Sequence, residues 1–138
     1  MIGRKLKQNR GRAFEFLPWS DVPDAAAAWQ LIKLADRQNG GILIDTWHYF
    51  RGTADPIQVR SISADRLFLI QFDDADAVQV DGYMEDTTRR RRLPGQGGFD
   101  LIGFIQMLDE MGVNAPASGL SVEHHRHHLA SLQCGAES

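Results

Sequence analysis

Cysteine is almost absent. The single Cys134 in 138 residues excludes a disulfide framework within the chain and makes a reducing, cytoplasmic setting the expectation. Basic charge is not in excess either: 15 Lys and Arg stand against 18 Asp and Glu, a formal net charge of −3. No general attraction for nucleic acid follows from that balance. No apolar run reaches the ~18 residues that a bilayer span requires. The start, MIGRKLKQNRGRAFEF, carries basic residues with no apolar stretch of signal-peptide length behind them. Nucleic acid and membrane are therefore set aside as expected partners.

What is present is a chain with 43% hydrophobic and 24% charged residues, the composition of a globular domain with room for a core. The first residues are basic and aperiodic, and residues 1–11 are expected to be disordered or displaced from the fold. RAFEFLPW reads as a short strand stopped by Pro18. DVPDAAAAWQLIKLADRQNGG reads as a helix with Ala28, Leu31, Ile32 and Ala35 on one stripe and Asn39-Gly40-Gly41 at its end. GILIDTW is a second strand followed by a loop, and Asp55-Pro56 suggests a short helix start. RLFLIQFDDA is a third strand. Residues Asp76 to Gly98, with RRRRLPGQGG, are too rich in Gly, Pro and Arg to be regular. FDLIGFIQMLDEMG is a helix with Leu101, Phe104, Ile105 and Leu108 on one face, ended by Gly112, and GLSVEHH is a last strand. Strands alternating with helices predict a parallel sheet with crossover connections.

Period-two counting places one oxygen-bearing side chain near the C-terminal end of every strand. Glu15 shares a side with Ala13 and Leu17; Asp45 with Leu43; Gln71 with Leu69 and Asp73; Glu123 with Ser121. In parallel α/β sheets, ligands bind beyond those ends. If the strands are neighbours in a curved sheet, Glu15, Asp45, Gln71 and Glu123 converge. Packed carboxylates repel one another and burial penalises each charge, so a divalent cation is the natural partner. An oxygen-only set favours Mg²⁺ or Mn²⁺. His48, three residues past Asp45, falls where it would reach a bound substrate. The HHRHH cluster, His124 to His128, alternates between faces within a strand and is expected to be surface histidine. The four arginines Arg89 to Arg92 are read as a solvated loop.

FEFLPW, GGILIDTWHYFRG, FLIQFDDA, RRLPGQGGFDL and LSVEHH, in that order, resemble the sugar phosphate isomerase/epimerase family with xylose isomerase-like TIM-barrel folds. The resemblance implies a partial (β/α)8 barrel, its last four strand-helix units, over residues 12–138: about half of the ~250 residues of a complete barrel. It also implies metal ligation by Glu15, Asp45, Gln71 and Glu123, with His48 and either Arg91 or Arg92 contacting substrate. Glu15 and Glu123 would then remove and return a proton beside a metal-polarised carbonyl of a sugar or sugar phosphate. Gln71 stands where most sugar epimerases of this group have histidine, which also resembles 3-dehydroshikimate dehydratases; in that reading His48 is the base. With four strands missing, a half-barrel would expose edges and an apolar inner face. Self-association, pairing with a complementary half, or a role as an inactive interaction module are the corresponding expectations.

Overall fold

Four strands pair side by side, each with its neighbour in sequence, and the two central ones carry the apolar runs Ile-Leu-Ile and Leu-Phe-Leu-Ile. The structure, a computed structural model, describes residues 11–119. Strands β1 (Arg12–Glu15), β2 (Gly40–Asp45), β3 (Leu67–Phe72) and β4 (Ala117–Gly119) form one sheet in the order β1-β2-β3-β4. Every pairing is parallel, so each connection carries the chain back across the sheet and all four C-terminal ends lie on one edge. The α/β, parallel, strand-by-strand arrangement is that of part of a TIM barrel.

Register decides what faces what. Glu15 pairs with Leu43, Asp45 with Gln71, and Gln71 with Ser118. Partners in register point to the same side, and alternate residues of a strand share it. Glu15, Asp45 and Gln71 therefore lie on one face. The opposite face supplies the core: Ile42, Ile44 and Ile70 are buried under helix α1 (Ala25–Ala35), through Ala28 and Ile32, and under Val59, Phe104 and Leu108. Gly41 is required here by close approach, since a Cβ on it would stand 2.6 Å from the Phe68 ring that crosses β2.

Helix α1 starts where Asp24 accepts from the Ala27 N–H. Its buried stripe is Ala25, Ala28 and Ile32; Leu31 and Ala35 are exposed, which corrects the expected stripe. The sheet covers only the face centred on Ala28, and the helix rotates to lay its alanines against the strands. The segment after β2 is not a loop: Thr46–Arg51 is a helix, α2, that begins at the strand's last residue. Pro56–Arg60 forms α3, with Asp55 accepting from the Ile57 N–H, and a 3₁₀ turn at Ala64–Arg66 leads into β3.

The stretch read as irregular, Asp76 to Gly98, contains helix α4 (Tyr83–Arg89). Glu85 and Asp86 in its first turn and Arg89 in its last suit the helix dipole, a signal the neighbouring Gly, Pro and Arg obscured. Helix α5 (Leu101–Met111) is capped by Asp100 and closed by Gly112 at φ +73°. It buries Met107 in place of Ile105, which is exposed. Strand β4 begins at Ala117, two residues before the expected start at Gly119; Ser121, Glu123 and the histidine cluster lie outside the described residues. No helix among the described residues is long and apolar enough to cross a membrane.

Candidate active site

Asp45 closes β2 and opens α2 with the same carboxylate. Its Oδ1 accepts from the Trp47 N–H at 2.8 Å, so the helix starts without a connecting loop. Thr46 fixes the junction: its hydroxyl donates to the Asp73 carbonyl and accepts from the Asp73 N–H, both at 2.7 Å. One helical turn then returns His48 over the strand end. Its Nε2 lies 3.3 Å from Glu15 Oε1 and 3.6 Å from Asp45 Oδ2. Donor atoms of Glu15, Asp45 and His48 all fall within 4.8 Å of one another. Asp45 and His48 are buried, while the Glu15 side chain stays 34% exposed. Among the described residues, buried His48 Nδ1 and Asp73 Oδ1 have no hydrogen-bond partner, an unusual cost for interior polar atoms. Two carboxylates and an imidazole at this spacing fit a divalent cation.

Arg91 enters the same cluster from the far side. Its Nη1 donates to Asp45 Oδ2 at 2.8 Å and also to Asp73 Oδ2. Thr87, on α4, holds the rest of the guanidinium: Nε reaches its carbonyl and hydroxyl at 3.0 Å and Nη2 reaches the hydroxyl at 2.8 Å. The Arg91 guanidinium also lies over the Trp47 ring, 5.1 Å from its centroid. Burial, followed by the charge of Asp45, pushes Asp73 up to about 8 against the opposing pull of Arg91.

That shift has a sign for stability. An unfolded aspartate titrates near 3.9, so between about 4 and about 8 the folded metal-free chain keeps a proton that the unfolded chain has released. The stabilisation is complete below the unfolded value and is lost as pH rises through about 8. Chemical denaturation of the metal-free protein is expected to show stability from this group falling over that window, and Asp73→Asn is expected to flatten it. An unchanged slope in the variant would contradict the assignment.

A second buried layer supports the first. Asp86 of α4 accepts from the Trp47 indole N–H at 2.9 Å and from Arg51 Nε at 2.8 Å, tying α2 to α4. At the rim, Trp19 packs edge-on to His48, ring centroids 5.4 Å apart, and also meets Trp47 and Tyr83. Asp74 gathers the glycine-rich turn by accepting from the Gly95 and Phe99 N–H groups.

The expected site residues divide as follows. Glu15, Asp45 and His48 come together, with His48 inside the cluster of donor atoms rather than beyond it. Half-buried Gln71 is level with Asp45 on the same face. Arg91 is in the site, whereas Arg92 turns away to Asp76 at 2.8 Å with its side chain 48% exposed. Glu123 lies outside the described residues. Asp73 and Thr87 join the site beyond the expected residues. The period-two face shared with Gln71 is a signal for Asp73; none exists for Thr87, whose helix is flanked by the Arg run and the Pro-Gly turn.

Residues 12–137 match the family described as xylose isomerase-like TIM barrel. The chain belongs to that family. Among curated relatives, a 3-dehydroshikimate dehydratase of Pseudomonas aeruginosa is 33% identical over 106 residues, 76% of this chain and 17% of that protein. An inosose isomerase of Bacillus subtilis is 26% identical over 102 residues, 72% of this chain and 36% of that one. The chain thus spans well under half the length of these relatives. Two solved structures share the fold. A xylose isomerase-like TIM barrel/4-hydroxyphenylpyruvate dioxygenase fusion protein superposes with TM-score 0.76 at 28% identity, over 88% of this chain and 20% of that one. The IolI protein, solved with a zinc atom, superposes with TM-score 0.67 at 23% identity, over 79% and 39%.

Proposed function

We propose that this chain forms the catalytic end of a divalent-metal-dependent isomerase or epimerase acting on a small polyhydroxylated ketone, by proton transfer beside the carbonyl. The convergence of Glu15, Asp45 and His48 donors within 4.8 Å at the strand ends carries the reading. Asp45 and Glu15 would hold the ion with Gln71, and Glu123 would be the fourth ligand. A bound divalent ion supplies electrostatic polarisation of a carbonyl and stabilises charge developing next to it. Mg²⁺ or Mn²⁺ suits this set of oxygen donors.

Glu15 is the carboxylate that substrate can reach, and we assign it the proton removal; Glu123 is its proposed partner for the return. His48 Nε2, 3.3 Å from Glu15, is placed to hold a substrate hydroxyl. Arg91 Nη1 and Nε are engaged by Asp45, Asp73 and Thr87, so a substrate oxygen would meet the outer edge of Nη2. Arg92 would need to leave Asp76 to take part.

The test is exchange of the carbon-bound proton next to the carbonyl of inosose in D₂O, followed by NMR with and without Mn²⁺. Exchange that needs Mn²⁺ and is lost in Glu15→Gln is the expected result; Mn²⁺-independent exchange, or none, would refute the reading. The identity to the P. aeruginosa protein favours a second reading, dehydration of 3-dehydroshikimate with His48 as base. In that case protocatechuate absorbance would appear from 3-dehydroshikimate while inosose stays unexchanged.

A further inference from the structure

Trp19 is a large apolar side chain left 40% exposed at the rim of the site. Its surroundings are built rather than loose. The turn beneath it is closed by the Leu17 N–H donating to the Val22 carbonyl at 3.1 Å and the Ser20 N–H donating to the Leu17 carbonyl at 2.9 Å. The Ser20 hydroxyl braces it again, its one proton within reach of the Leu17 and Val22 carbonyls and its oxygen accepting from the Val22 N–H. Gly52 closes α2 beside this turn: a Cβ there would stand 2.8 Å from the His48 carbonyl oxygen, and Pro18 lies just beyond in ordinary contact. One part of the indole is packed against the rings of His48, Trp47 and Tyr83, at 5.4, 6.1 and 6.0 Å. The remainder faces solvent four residues after Glu15.

A rigidly held aromatic face beside charged and polar donors has the composition of a small-molecule subsite: apolar area with a few convergent polar groups. The ring is ordered before ligand arrives, so stacking on it costs little further conformational entropy. An open-chain hydroxyketone has no broad apolar face to lay on an indole. A six-membered carbocycle does, because its axial C–H groups, or its ring plane where unsaturated, form a flat side while its oxygens project from the edge.

We propose that Trp19 is a ring-stacking platform that selects cyclic over open-chain hydroxyketones, laying the ring beside His48 with its oxygens toward Glu15 and Asp45. The inference rests on the metal-dependent reading of the same site and names its substrate class. The ring also shields His48 from bulk water, and Tyr83 supports the platform from α4.

Binding of inosose and of 3-dehydroshikimate is measured by tryptophan fluorescence in the Mn²⁺-loaded full chain, with dihydroxyacetone, too short to close a ring, as the open-chain probe. Both ring probes are expected to quench the wild type. Trp19→Ala is expected to lose about tenfold in affinity for them, measured for the variant by calorimetry, while dihydroxyacetone and Mn²⁺ affinities stay within about twofold of the wild type. Trp19→Phe, which keeps a stacking face and folds if the alanine variant does not, is expected to retain most ring affinity. Equal loss for ring and open-chain probes, unchanged ring affinity in Trp19→Ala, or no ring binding by the Mn²⁺-loaded wild type would each overturn the platform. Failure of the wild type to bind Mn²⁺ at all refutes the metal reading beneath it, and the two failures are thereby distinguished.

Discussion

Asp45→Asn is expected to abolish divalent-ion binding, lowering Mn²⁺ affinity by more than about 100-fold, beyond the 10- to 100-fold typical of changes to groups behind the ligands. The substitution separates the two tasks of this residue. Asparagine is as good a helix N-cap as aspartate, so the bond to the Trp47 N–H that starts α2 can persist. What disappears is the negative charge that faces His48 at 3.6 Å and Arg91 at 2.8 Å. Circular dichroism should show the helix content retained, and equilibrium dialysis with Mn²⁺ should show the ion gone. Near-wild-type affinity in Asp45→Asn would mean that the strand-end cluster is a hydrogen-bonded network with no ion in it.

Asp86→Ala is expected to cost about 3–5 kcal/mol of folding stability, the penalty for stranding one member of a buried ion pair. The Arg51 and Asp86 side chains are 4% and 1% exposed, so water cannot replace the missing carboxylate, and the Trp47 indole N–H loses its acceptor as well. Stabilities of whole domains are about 5–15 kcal/mol, so the variant should unfold at markedly lower urea. The double variant Asp86→Leu with Arg51→Met should recover much of the loss, since removing both charges leaves neither unpaired. A single variant within about 1 kcal/mol of the wild type would show that the Arg51 guanidinium finds other partners.

These two carboxylates mark what the sequence could and could not reveal. Asp45 was legible because its position is local: it ends a run of Ile and Leu, it falls on the period-two face, and the strand end of a parallel sheet is where ligands sit. Asp86 was not, because its meaning comes from Arg51 and Trp47, 35 and 39 residues away in sequence. Its own helix was hidden by the arginine run and the Pro-Gly turn that follow it. The four arginines, read together as one solvated loop, divide in the fold: Arg89, Arg90 and Arg92 pair with Glu85, Asp81 and Asp76, while Arg91 is drawn inward. Nothing in a run of identical residues says which one faces in; the register set by α4 and Thr87 decides it. The helical stripes differ from periodicity for a related reason, with Ala25 buried instead of Leu31 and Ala35 on α1 and Met107 instead of Ile105 on α5, since periodicity fixes a direction around a helix only to within the arc that the sheet covers.

The Thr46 hydroxyl has a wider consequence. At that residue the main chain has already turned into a helix and can no longer offer β3 a ladder bond, yet the side chain supplies both a donor and an acceptor to Asp73. The two central strands are thereby stitched one step past the point where the sheet formally stops. Fraying, which ordinarily begins at strand termini, is blocked at the very rim where the reactive groups sit. The loops beyond can then vary in length and composition while the tips below them stay in place.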